Sequence, residues 1–465
     1  MKRSSGYPWS LTLLVCGLVG AAAAQEPGAA PGSPGAPPPD GLPVQPIQPP
    51  VMPPVMPPVM PPPPPPPPLP PDPIRVDPAR ELMITDLSVV NDKALTDGTS
   101  NPPGAWSFRA LVEGLVGPAQ APEIVLAWLR SWESAQRING FTVPARPQMR
   151  TLITDPWLKR SGGKRLDLGQ APFRLLAIVN RLDLRGGTPY APTSAGEGRF
   201  VFGVLGPQGE VLSFTVIFEY GLPASDPSAV LGWARSWHQL GQVPFGPRYN
   251  RLLSLLTQRF TRRGAAPGKP GGSALNQLRT NELAVGSPWE LREFVLRGVA
   301  TPGGTKALRL TPATVKQTPD DSLNQSAQLA DLINRNQAAI LAGSFVVPAR
   351  LLGGASPVQG VWNAAGIKSR DGRHLFALNT CSGCHQAETS TPFVHVGPRA
   401  PNQRAPLSGF LTGVSVPDPV SGQTRRFADL KRRQDDLAAL LGGAIPVPNG
   451  LALPQAAPAP SARVH

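Results

Sequence analysis

The sequence predicts an α+β globular domain followed by a small, mainly helical C-terminal domain, both carried behind a disordered proline-rich linker. Three observations lead there. Apolar residues alternate over 199–205 and 211–220, as in half-buried strands. They recur at helical spacing in several other segments. And 26 of the 61 prolines crowd between residues 25 and 80. With 465 residues and 41% hydrophobic content, the chain has room for two or three domains with real cores.

Residues 1–24 read as a secretory signal. Lys2 and Arg3 supply a positive start, Leu11 to Gly20 an apolar stretch, and Ala22, Ala23 and Ala24 a small-residue cleavage site before Gln25. A permanent membrane span needs about 20 apolar residues, more than this stretch offers. The expected product is exported, periplasmic or secreted. Lipid anchoring through Cys16 is the less favoured alternative, because Val15 stands where a small residue is expected.

Residues 25–78 form the linker, with three copies of Val-Met-Pro-Pro and an unbroken proline run from Pro61 to Pro68. Such a tract favours extended polyproline II at about 3.1 Å per residue, so residues 42–73 could span on the order of 100 Å.

From residue 79 to 360 the pattern is mixed. A helix is expected over Glu123–Gln136, with Ile124, Val125, Trp128, Leu129 and Trp132 inward, and another from near Ser228, with Val230, Trp233, Trp237 and Leu240 inward. Phe173–Val179 reads as a buried strand. Arg199–Leu205 and Val211–Tyr220 flank Gly206-Pro207-Gln208-Gly209 as a β-hairpin. A further helix is expected from Leu323 to Leu341. No catalytic motif emerges here: Gly196-Glu197-Gly198 lacks the third glycine of a nucleotide loop, because Val201 occupies that place. The region's one histidine, His238, reads as structural.

Formal net charge is +14, with 44 basic against 30 acidic residues. That suits attraction to an anionic envelope surface or to an acidic partner. Nucleic acid is not expected as a partner, since no basic run is interleaved with aromatics.

The sharpest chemical feature is Cys381-Ser382-Gly383-Cys384-His385. Loss of the signal removes Cys16, leaving these two cysteines alone, so no disulfide framework holds the fold. Covalent haem needs two thiols to meet two vinyl groups and an imidazole directly following to reach the iron, and Cys-x-x-Cys-His supplies that order. Composition alone yields roughly 2 × 10⁻⁴ chance matches in a chain of this length.

The segment from about Lys368 to Gly443 resembles the small monohaem c-type cytochrome domains. In that family a helix bearing a glycine and, four residues on, an aromatic precedes the motif, and Gly372 and Phe376 are similarly placed. The resemblance implies a mainly α cytochrome c-like domain over 361–445, ahead of a flexible tail at 446–465. It implies one haem c on Cys381 and Cys384, with His385 as proximal ligand. It further implies a proline carbonyl, near Gly397-Pro398, accepting the ring's Nδ1 proton. It implies a closing helix with Phe427, Leu430, Leu437, Leu440 and Leu441, packed on the first. The sequence departs from the family in lacking a distal methionine, Met149 being the last in the chain.

His395 is the leading candidate for the sixth ligand. His374, on the helix before the motif, is expected to face solvent or a haem propionate. Two histidines on iron favour electron transfer to a redox partner, whereas an open site permits oxidoreductase chemistry on a small molecule. Two other readings use the same residues. Cys381, Cys384, His395 and either His374 or His385 could hold zinc. Alternatively, the two cysteines could form a local disulfide in a binding or structural module of the envelope.

Overall fold

The alternating segments assemble, in a computed structural model, into an antiparallel sheet of eight strands. The residues described are 74–443 apart from 187–193, 225, 302, 303, 305, 358 and 359. The signal, nearly all of the linker and the tail at 446–465 therefore lie outside them. Across the sheet run Met83–Ile84, Phe173–Arg181, Glu197–Leu205, Val211–Gly221, Leu275–Glu282 and Glu290–Ala300. The last of these pairs with Ser356–Pro357 at its start and with Lys306–Ala313 farther along.

Period-two alternation decides what each face meets. Phe200, Phe202, Phe214, Phe218 and Tyr220 point to one side, into a core with helices Phe108–Val116, Ala121–Arg130, Pro227–Gly241 and Pro247–Thr261. Phe108 stacks on Phe173 at 4.0 Å between ring centroids, and Trp132 lies 4.7 Å from Phe294. His238 is structural here, its Nδ1 lying 2.9 Å from the Glu81 carboxylate. Among the described residues, no helix is long and apolar enough to cross a membrane.

The opposite face is unusual in being both charged and buried. Arg199 lies directly opposite Glu219, and Arg279 directly opposite Glu293. Glu219 joins the two halves, 3.1 Å from each arginine, and Arg279 reaches Glu293 at 2.6 Å. No side chain in this row is more than 6% exposed. Beside the row, Ala177, Val179 and Val201 form an apolar patch.

The C-terminal segment covers this face, and that corrects two expectations. The fold is not an α+β domain followed by a separate, mainly α domain; it is one large antiparallel sheet with helices on one face and the C-terminal segment on the other. Nor is the segment the small helical domain of a c-type cytochrome. Between helices Arg370–Leu378 and Asp429–Leu441 it runs through two short helical turns, Gly383–Ala387 and Gly409–Thr412, extended stretches and a hairpin, Val414–Pro417 with Thr424–Phe427. Its Phe376, Phe410, Val416 and Phe427 share a core with Met83, Leu176, Val179 and Val201 of the sheet. The closing helix does not pack on the first as expected. Its Leu437 and Leu440 join the core of Trp237 and Leu240, so it leans on helix Pro227–Gly241. Arg432 ties it to Asp183 at 2.7 Å.

Local expectations fared better. The strand and hairpin readings agree to within two residues. The helix expected to reach Gln136 stops at Arg130, and Gln136–Ile138 is a strand. The expected Leu323–Leu341 helix is two, Ala327–Arg335 and Gln337–Leu341, broken where Asn336 leaves helical geometry at φ −109° and ψ 16°.

A buried ion pair that loses one partner leaves an uncompensated charge, at a cost of about 3–5 kcal/mol. Glu219→Gln should therefore lower the unfolding free energy by about that amount in urea denaturation. A loss within about 0.5 kcal/mol, as for surface substitutions, would mean that the row does not hold the sheet.

Candidate functional site

The Cys-x-x-Cys-His segment begins where helix Arg370–Leu378 ends. Thr380 makes the joint: its hydroxyl donates to the Ala377 carbonyl at 2.6 Å and accepts from the Gly383 N–H at 3.1 Å. Only glycine suits position 383, because a Cβ there would lie 2.0 Å from the Ala377 oxygen. Trp362 Nε1 donates to the Ser382 hydroxyl at 2.8 Å.

Neither cysteine is in a disulfide, and both thiols have no solvent exposure. Thr318 holds Cys381, accepting from its N–H at 2.9 Å and placing its hydroxyl 3.2 Å from Sγ. Burial pushes the Cys381 thiol up to about 12 and the Cys384 thiol well above its ordinary value. Both are neutral at pH 7, so neither is an activated nucleophile of the thioredoxin type.

His385 is clamped by a reciprocal pair of bonds. Its Nδ1 lies 2.8 Å from the Phe393 carbonyl, while the Phe393 N–H donates to the His385 carbonyl at 3.0 Å. A carbonyl only accepts, so Nδ1 carries the proton. Burial lowers the His385 pKa to about 4, which makes the ring neutral and leaves a lone pair on Nε2. Trp289 stacks on one face, 5.5 Å between centroids. The expected carbonyl partner near Pro398 is thus replaced by Phe393, in a tighter loop.

His395 meets this group from the side. Its Nε2 lies 3.2 Å from Cys384 Sγ, its Nδ1 2.9 Å from the Ser408 hydroxyl, and its ring centroid 4.3 Å from that of His385. Burial, with help from His385 and Arg433, holds it neutral.

The two histidines border a cavity of about 50 Å³ whose far wall is the sheet, at Val179, Arg181, Ile217 and Arg279. Arg433 also lines it, from the closing helix. That side chain is 3% exposed, and although its Nη2 pairs with Asp429 at 2.5 Å, its Nε and Nη1 are buried without a hydrogen-bond partner.

The donor chemistry fits haem c. There are two neutral thiols, an imidazole with its coordinating nitrogen free, a second imidazole beside them, and a buried guanidinium with two donors to spare for a carboxylate. The space is smaller than such a group needs, since enclosed ligands of that class occupy roughly 300–1,000 Å³.

The zinc candidates do not converge. Among the described residues, the group with three ligand atoms within 4.8 Å of one another is His374, Glu388 and Asp418. His374 therefore faces neither solvent nor the cysteines. Its Nδ1 lies 2.6 Å from Glu388 and 3.3 Å from Asp418. Arg373 spans the same carboxylates, at 2.6 Å from Glu388 and 2.9 Å from Asp418, so a guanidinium already balances their charge.

Neither Phe393, Arg433 nor the Glu388–Asp418 pair was marked by the sequence. A carbonyl, a surface-like arginine in a charged helix and scattered carboxylates carry no local signal.

No family model, curated protein or solved structure matches this chain. The functional reading therefore stands on the residues alone.

Burial raises the Asp418 carboxyl, but the Ser421 and Val420 N–H groups, Arg373 and His374 outweigh it and hold the group at about 2. A depressed folded pKa contributes stability above the ordinary value of 3.8 that is lost as pH falls through about 2. Asp418→Asn should therefore unfold more readily at pH 7 and lose less of its remaining stability between pH 4 and pH 2. Thermal unfolding across that range checks this, and parallel curves for the two proteins would show that another group is responsible.

Proposed function

We propose that this is an exported c-type haem protein that transfers electrons through one haem bonded covalently to Cys381 and Cys384. His385, through Nε2, and His395 are the residues that would hold its iron. The observation that carries the reading is the clamped His385 tautomer: the Phe393 carbonyl takes the Nδ1 proton, leaving Nε2 as a ligand nitrogen next to two thiols that form no disulfide.

When bound, haem supplies a one-electron iron couple, whose potential two imidazole ligands would set low. The chain's own residues do the rest. The Phe393 carbonyl fixes one ring and Ser408 the other. Trp289 and Phe410 shield the pair, lying 5.5 Å from His385 and 4.9 Å from His395. Arg433 offers two unused donors to a propionate. The net charge of +14 favours an acidic redox partner over another basic protein.

Protein matured in a host with cytochrome c assembly should be red, with a Soret band that survives acid-acetone extraction and disappears in Cys381→Ala/Cys384→Ala. His395→Ala should turn a low-spin spectrum high-spin. A colourless product with stoichiometric zinc, or one whose two thiols are counted only after reduction, would overturn the proposal. An unchanged low-spin spectrum would remove His395 alone.

A further inference from the structure

A second cavity lies away from the cysteines. It measures about 500 Å³, within the range of sites for small organic ligands. Helix Arg370–Leu378 forms one side, hairpin strand Thr424–Phe427 another, and the start of helix Asp429–Leu441 a third.

Its wall is of two kinds. Leu341, Leu375, Leu378, Phe410 and Phe427 make an apolar surface, and the Phe410 and Phe427 rings are packed together at 5.5 Å. Against it stand the hairpin's adjacent arginines. Arg425 is held at 2.7 Å by Asp371 and lies 3.5 Å from Asp418, yet its Nε is buried without a hydrogen bond. Arg426 is exposed at the cavity edge and, among the described residues, forms no ion pair. The other charges are spent: Arg432 on Asp183 and Asp429, and Asp429 on Arg433 as well. Of the charged side chains lining the cavity, Arg426 is the one that forms no ion pair among the described residues.

His374 adds a fixed polar atom. With Nδ1 taken up by Glu388 and Asp418, its Nε2 has no partner among the described residues, and the ring lies in the cavity wall. A metal ion is the poorer occupant, because Arg373 and Arg425 already stand on the carboxylates that would bind it.

We infer that this cavity binds an organic monocarboxylate with an apolar body. The body lies on the Leu375, Leu378, Phe410 and Phe427 wall, and the carboxylate meets Arg425 and Arg426. The polar groups of this site are separate from those of the cysteine motif.

Calorimetric titration of the full chain tests this, with decanoate as probe and decyltrimethylammonium as the matched cation. Decanoate should bind saturably at one site and the cation should not. Arg426→Glu, an exposed change, should weaken decanoate by about tenfold or more, the loss of one charge-assisted hydrogen bond. Leu378→Trp should abolish binding by filling the cavity. Absence of saturable decanoate binding, equal binding of the cation, or an unchanged affinity in Arg426→Glu would each overturn the inference. Should Leu378→Trp fail to fold, Arg426→Glu still decides.

Discussion

The row Glu197, Arg199, Glu219, Arg279 and Glu293 is the constraint on which the rest of the structure depends. Each ion in it gives up water, and the loss is tolerable only because every member has an opposite charge at 2.6–3.1 Å. That requirement ties register to burial. Shifting Arg199 or Arg279 by one residue would turn a guanidinium into the aromatic core on the other face. It also obliges something to cover the face, and the C-terminal segment does so, bringing the cysteines and His395 onto the sheet.

The cover determines the chemistry beneath it. In water, Cys381, Cys384, His385 and His395 would titrate across the physiological range or near it. Under the cover, desolvation makes all four neutral, which suits ligands and disfavours a thiolate nucleophile. Phe410 links this region to the larger cavity, since it packs on His395 and also lines the space beside His374. The two sites therefore share one aromatic side chain while their polar groups stay separate.

What was legible follows the range of the physics involved. The hairpin of Glu197–Leu205 and Val211–Gly221 showed in the sequence because alternation is a property of neighbouring residues. The amphipathic helices showed for the same reason, except where Asn336 interrupts a continuous apolar stripe. The C-terminal helices were also visible, yet their partners were not. An amphipathic pattern reports which face is buried and says nothing of what buries it, so Leu437 and Leu440 could be assigned to the wrong neighbour.

By itself the sequence determined the two thiols with their adjacent imidazole, the candidate His395, the basic charge and the strand pattern that builds the sheet. Tertiary structure alone decided that the Phe393 carbonyl orients His385, that Arg433 reaches the same cavity with unused donors, and that His374 joins Glu388 and Asp418. It also decided that the motif lies on an ionic sheet face formed far earlier in the chain. The physical reason is that burial and pairing are set by what arrives across space, and no local period in the chain encodes the arrival of a distant charge.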